Sequence, residues 1–300
     1  MRYTAYQLAI ESDLALPELL PAPAGQPAGP VDVQIRLADI APGGLPGGQQ
    51  LGPFLWATPD SLWLEVPHIA RFQVQGGHSI LVAPAPGADE DSIRVFLLGS
   101  ALGALLFQRG QLVLHGNAIR IGDQCMVCVG NSGAGKSTLA AGFMQRGYSV
   151  LADDVVPVDR QGRAVPGFPR IKLWQDTADQ LQIDTGGLRR IRPHLEKFNL
   201  PLGQRFADQA LPIRWVYLLD SGHVEQVEFA PIKGMERFMP LYDHTYRVRF
   251  LQGMALKGEH LQLCGQLAGQ IRLAQVTRPM VGFELDPLID RLLADMEAHP

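Results

Sequence analysis

The sequence predicts an α/β protein in two parts: a β-rich N-terminal domain over residues 1–88 and an α/β domain over residues 89–300. Three observations predict it. Short β-branched or alternating segments recur through the first 90 residues, separated by Pro/Gly-rich stretches. From residue 112 the order becomes strand, glycine loop, helix, strand, the pattern of a mononucleotide-binding unit. The composition, 46% apolar and 19% charged over 300 residues, is that of a globular chain with a large core.

The β segments of the leading part are expected at residues 3–10, 31–37, 61–66, 70–75 and 78–83. Residues 17–30 and 41–53, rich in Pro and Gly, are expected as exposed loops. Residues 89–108 read as a helix, opened by Asp89, Glu90 and Asp91 and closed by Gly110. Its wide apolar face predicts burial between the two halves of the chain. Strands follow at 112–114, 118–121 and 125–129, a helix at 136–146 capped by Gly147, and a short strand at 149–152. Further on, β segments are expected at 214–219 and 224–230, and helices at 261–274 and 286–298.

Several function classes are disfavoured at once. Lys plus Arg is 26 against 30 Asp plus Glu, a net charge of −4, so no basic excess points to nucleic acid. The most apolar stretch, residues 95–107, falls short of the roughly 20 residues that span a bilayer. The first 15 residues carry Glu11 and Asp13 and no apolar block, unlike a signal peptide. Three sparse cysteines suit a reducing, cytoplasmic setting. Cys125 and Cys128 form a C-x-x-C inside a β-branched run. On a strand these positions face opposite sides, so both are expected in the core rather than on one metal.

The chemistry concentrates at Gly130-Asn131-Ser132-Gly133-Ala134-Gly135-Lys136-Ser137-Thr138, a full G-x-x-x-x-G-K-[ST] match between a strand and a helix. Gly130, Gly133 and Gly135 permit torsions that a Cβ would forbid. The loop N–H groups and the helix N-terminus then converge on phosphate oxygens. Lys136 can reach the terminal phosphates and the Ser137 hydroxyl can ligate Mg²⁺. The expected ligand is a nucleoside triphosphate, ATP, with Mg²⁺. Seventeen residues beyond Lys136, Asp153 and Asp154 close an apolar strand. Two adjacent carboxylates there can divide two tasks, one on the metal and one taking a proton from an incoming hydroxyl. His115, ending Leu112-Val113-Leu114, reads on its own more readily as a hydrogen-bonded core or turn histidine than as a catalytic group.

Taken together, Leu114-His115-Gly116, residues 130–137, Arg146-Gly147 and Ala152-Asp153-Asp154 resemble HPr kinase/phosphorylase, a bacterial protein-serine kinase with a P-loop and a phosphoenolpyruvate-carboxykinase-like core. The resemblance covers about 45 residues. It implies that His115 belongs to the active site, that Asp153 is the base toward a serine hydroxyl, and that Lys136, Ser137 and Asp154 hold nucleotide and Mg²⁺. Two departures stand out. Thr138 occupies a position where that family often has an acid, and the family's later R-G-L-G-I block has only a faint echo in Gly186-Gly187-Leu188-Arg189. That block serves HPr recognition and phosphorolysis.

The opening, residues 6–19, together with residues 166–174 and 244–247, resembles HPr-kinase-like proteins found with peptide-modification genes, including lasso peptide clusters. That resemblance implies ATP-dependent phosphorylation of a precursor peptide on its C-terminal serine. An HPr-type kinase/phosphorylase and a small-molecule kinase with the same core are the alternatives. The partners expected are a precursor peptide or small protein, with neither nucleic acid nor membrane; a homo-oligomer is compatible with the sequence.

Other candidate substrate contacts are Arg170 and Lys172, after a Pro-Gly-Phe-Pro turn, and Arg247. His244 is expected to be structural. Basic residues between 188 and 214 read either as a groove for anions or as solvated surface, and residues 185–212 read as a substrate lid.

Overall fold

Backbone torsions split the first expected strand in two. In the computed structural model, which describes residues 1–22, 29–280 and 284–300, Tyr6 and Gln7 both have positive φ. That is the signature of a two-residue hairpin turn, and it joins β1 (Arg2–Ala5) to β2 (Leu8–Ser12). β3 (Leu20–Pro21) and β4 (Val33–Leu37) follow. Part of the first expected loop, residues 23–28, lies outside the described residues. The second expected loop holds β5 (Gln49–Gly52), which pairs with β6 (Leu55–Thr58), a strand the sequence pattern did not flag. An antiparallel meander then runs through β7 (Ser61–Val66), β8 (Ala70–Gln75) and β9 (Ser79–Pro84). The nine strands form one sheet in the order β3-β1-β2-β4-β9-β8-β7-β6-β5.

The expected helix over 89–108 is present in three pieces. α1 (Glu90–Phe96) passes through a π turn (Leu97–Ala101) into α2 (Leu102–Gln108). The Asp89 carboxylate caps it by accepting from Ser92 N–H at 2.7 Å. Leu97, Leu102, Leu105 and Leu106 are fully buried against Phe72, Val74, Ile80 and Val82 of the sheet. The same core continues into Val155, Phe168, Tyr246 and Phe250, so the helix packs on both halves of the chain.

The second sheet is built from β10 (Leu112–Leu114), β11 (Gly116–Ile121) and β12 (Gln124–Val129), then, after α3 (Lys136–Gln145), β13 (Val150–Asp153), β14 (Val156–Val158) and β15 (Arg163–Ala164). β16 (Arg170–Trp174), α4 (Gln175–Gln180) and β17 (Lys197–Pro201) stand beside it, with β16 and β17 paired antiparallel. β18 (Leu211–Gly222), β19 (Glu228–Ile232), α5 (Phe238–Asp243), α6 (Arg249–Gly253), α7 (Lys257–Gln270), β20 (Arg272–Pro279) and α8 (Leu285–Ala298) complete the chain. β12, β18 and β20 run parallel, while β11 is antiparallel to both β12 and β13.

Three expectations change. The helix placed at 261–274 ends at Gln270, and its last residues belong to β20, because a strand parallel to β18 satisfies their backbone. Residues 170–174, given no element from the sequence, are a strand. The expected lid over 185–212 contains β17, hydrogen-bonded to β16 along its length. Cys125 and Cys128 face opposite cores, as period-two geometry requires. Burial pushes both thiols up, Cys128 to about 12.

Candidate active site

The glycine loop leaves the C-terminal end of β12 and enters α3 through Gly135, whose φ is +99°. Gly130 is needed for space as well as torsion, since a Cβ there would lie 2.4 Å from the Leu219 carbonyl oxygen of the neighbouring strand. Lys136 folds back over the loop, its ammonium donating to the Gly130 and Asn131 carbonyls at 2.7 and 3.0 Å. Burial lowers its pKa, and the two aspartates oppose that.

Strand register brings the acids to this loop. Asn117 on β11 sits opposite both Cys128 of β12 and Asp153 of β13, so Asp153 ends two strands from the loop at the same height. The buried Asn117 amide also donates to the Lys136 carbonyl, tying β11 to the first turn of α3. Asp153 accepts from the Ser137 hydroxyl at 3.1 Å and from Lys172 N–H at 2.8 Å. Burial raises its pKa, the Lys172 N–H bond lowers it, and the Asp154 charge raises it again, with a net upward shift.

Asp154 leaves the strand with φ of +74°, a left-handed torsion that Asp tolerates better than most residues. The turn aims its carboxylate away from Ser137. It pairs with the Lys172 ammonium at 2.6 Å, and one of its oxygens lies 3.4 Å from His115 Nδ1. Burial would raise its pKa, but Lys172 and then His115 hold it well below the usual carboxylate range. His115 Nδ1 is also 3.0 Å from the Asp154 carbonyl, so the ring nitrogen donates there and orients the imidazole. His115 thus turns to Asp154 and not to Asp153.

Two cavities meet here. One, of about 280 Å³, follows the loop past Lys136, Ser137 and Asp153 to Trp174 and Lys197. The other, of about 380 Å³, opens over Gly130–Ser132 and is walled by the π-turn helix and by residues 243–247. His115, Ser132 and Asp154 belong to both, whereas Asp153 lines only the first. His244, expected to be structural, lines the larger cavity, and burial lowers its pKa. Arg247 lines it as well, with φ of +46° and its guanidinium over the Tyr246 ring.

Arg170 is a correction. It is buried, bonded to Asn199, stacked near Phe168 and lines neither cavity, so it acts from behind the acids rather than on a substrate. Lys172 lines the larger cavity but is engaged by Asp154. The basic residues between 188 and 214 do not form one groove. Arg189 pairs with Asp91, Arg192 bonds to Ser92 and covers Phe96, and Arg205 holds the Gly147 carbonyl. Lys197 is the member of that set that lines a cavity. Its partner across the β16–β17 ladder is Trp174, for which the sequence alone suggests no role of its own. In the sequence Lys197 is only one of that basic set, and neither residue stands out while their strands go unrecognised.

The donor set suits Mg²⁺. A serine hydroxyl and a carboxylate already in contact leave room for water and phosphate oxygens, the way this ion is usually held. The pair that fits is Ser137 with Asp153, in place of the expected Ser137 with Asp154.

No family model matches the chain. A stretch of 51 residues is 37% identical to the HPr kinase/phosphorylase of Prosthecochloris aestuarii (strain DSM 271 / SK 413), covering 17% of this chain and 15% of that protein. Among solved structures, the HPr(Ser) kinase/phosphatase from Coxiella burnetii aligns over 62% of this chain and 90% of its own, with 12% identity and a TM-score of 0.33. Among the described residues no helix is long and apolar enough to cross a membrane.

Proposed function

We propose that this protein is an ATP-dependent kinase that transfers the γ-phosphoryl group to a hydroxyl, the acceptor entering through the larger cavity. The observation that carries the reading is the junction of the two cavities at Asp154 and His115, directly beside the glycine loop. One cavity has the donors for a triphosphate; the other delivers an acceptor to the same carboxylate. The acceptor oxygen forms a bond to the γ-phosphorus while the bond from that phosphorus to the β,γ-bridging oxygen breaks. The electron pair leaves with ADP, and the hydroxyl proton passes to Asp154.

The contacts favour Asp154, rather than the expected Asp153, as proton acceptor. Geometry is decided before acidity for a general base, and Asp154 is the acid that both cavities share. Its low pKa keeps it ionised at neutral pH. Phosphoryl transfer through a loose transition state demands little basicity, since alignment and charge neutralisation do most of the catalysis. Asp153 and Ser137 would hold Mg²⁺, which when bound neutralises charge on the phosphate oxygens. Lys136 binds the terminal phosphates.

For the acceptor we propose a peptide or protein serine, specifically the C-terminal serine of a lasso-type precursor peptide. A wide cavity walled by aromatic Phe96 and Tyr246, with Arg247 at its wall, suits an extended chain better than a compact metabolite. The 51-residue similarity to an HPr kinase/phosphorylase supports a second reading, an HPr-type protein substrate. The deciding experiment incubates the protein with ATP, Mg²⁺ and either precursor peptides or HPr, and reads masses. A gain of one phosphate on a peptide serine supports the first reading and on HPr the second. Phosphorylation of a free sugar or nucleoside alone moves the protein to the small-molecule kinases.

A further inference from the structure

Three lysines surround the two joined cavities, Lys136 and Lys197 on the smaller and Lys172 on the larger, and two are accounted for. Lys136 belongs to the glycine loop, and Lys172 is bound to Asp154 at 2.6 Å. Lys197, from the start of β17, is half-buried and lines the smaller cavity with Lys136. Among the described residues no carboxylate lies within ion-pair distance of its ammonium. What holds it is the Trp174 ring, whose centroid lies 5.1 Å from Nζ. Trp174 is fixed by the ladder, where it is the direct cross-strand partner of Lys197. It is also 49% exposed, a large aromatic surface left beside a phosphate-binding loop.

A half-buried ammonium with no counter-ion is costly unless an anion arrives. The Trp face offers a weak cation–π hold that keeps the side chain extended over the cavity without neutralising it. Burial lowers the Lys197 pKa, and the Lys172 and Lys136 charges lower it further, against Asp153 and Asp154. An anion entering the cavity would offset that burial penalty.

We infer that Lys197, presented by Trp174, is a catalytic residue that contacts the γ-phosphoryl group during its transfer. The assignment rests on the kinase reading above. It supplies within the chain the cation that many phosphoryl-transfer enzymes bring to the transferring group as an arginine. Its placement on β17, paired with the strand that bears Lys172, fixes its position relative to both aspartates.

The test compares nucleotides that differ only in that group. Fluorescent derivatives of ATP and ADP are titrated with Mg²⁺ into the wild-type protein, Lys197→Met, Lys197→Arg and Trp174→Leu. Lys197→Met should weaken ATP by about 10-fold or more, the loss of one charge-assisted hydrogen bond, and leave ADP within about 3-fold. Lys197→Arg should restore most of the difference, and Trp174→Leu should lose part of it. ADP with aluminium fluoride, a mimic of the transferring group, should be weakened by Lys197→Met at least as much as ATP. Equal loss of ATP and ADP, or no loss of either, overturns the assignment while leaving the nucleotide site intact. If Lys197→Met does not fold, Lys197→Gln and Trp174→Leu carry the same comparison. A wild-type protein that binds neither nucleotide overturns the kinase reading, and the Lys197 assignment with it.

Discussion

Asp153 and Asp154 are adjacent in sequence yet end in different surroundings, because a single left-handed torsion turns the second away from the first. Asp153→Asn should therefore weaken Mg²⁺-dependent nucleotide binding. Asp154→Asn should preserve it and lower transfer by about 10²-fold or more, the low end of general-base effects. Calorimetry of nucleotide binding beside a turnover assay checks both, and the opposite pattern would restore the base to Asp153. Asp154 also sets a pH dependence. Its folded pKa lies below the ordinary value of 3.8, so its ionised form stabilises the fold above that value. The contribution is lost as pH falls through the folded pKa. Melting temperature should drop more steeply below about pH 4 in the wild type than in Asp154→Asn. An identical acid limb in the two proteins would show that the Lys172 pair does not contribute.

The π turn is the element that shapes the larger cavity. It shifts the helix register beside Tyr246, bringing Ser100 to the cavity wall and leaving Gly99 and Gly103 under the tyrosine ring. A Cβ at Gly103 would stand 2.8 Å from Tyr246 Cε1. Gly103→Ala should push the ring into the cavity and destabilise the fold by about 1–3 kcal/mol, the usual range for overpacking. Acceptor KM should rise while nucleotide affinity holds; a fall in nucleotide affinity of the same size would place Tyr246 in the other cavity. Nothing in the sequence announced this element, since a π turn keeps the apolar run of an ordinary helix. The glycine loop and acid pair were legible because their chemistry fixes residue type and spacing. β16 and β17 were not: Arg170-Ile171-Lys172-Leu173 and Lys197-Phe198-Asn199-Leu200 do alternate, but each run is short and Pro166, Gly167 and Pro169 before the one and Pro193 and Pro201 around the other mark turns. With them went Trp174 and the pairing that sets Lys197 apart from the other basic residues of its segment. Arg170 carried the right charge, but sequence could not show which side of the acids it occupies.

At the scale of the molecule, the two halves predicted from sequence share one core. Tyr6, at the tip of the β1–β2 hairpin, is 3% exposed and packs its ring 5.1 Å from Phe168, just ahead of the strand that carries Lys172. Both torsions of that turn are left-handed without a glycine, so tertiary packing must hold what the local sequence does not favour. Behind it, Glu18 pairs with the buried Arg94 of α1 at 3.0 Å, fixing the N-terminal chain to the helix that walls the larger cavity. The sheet, the helix and the site are therefore expected to unfold together. Tyr6→Ala removes a buried aromatic and should cost about 3–5 kcal/mol, as such truncations do. The loss should appear in one transition, with far-ultraviolet circular dichroism, tryptophan fluorescence and release of bound fluorescent ATP all shifting to the same lower temperature. Trp56 and Trp63 report on the first sheet, Trp215 on the second and Trp174 on the site, so the signal spans both halves. Two separated transitions, with ATP released only in the later one, would mean that the N-terminal sheet is an independent domain and that the shared core is a docked interface.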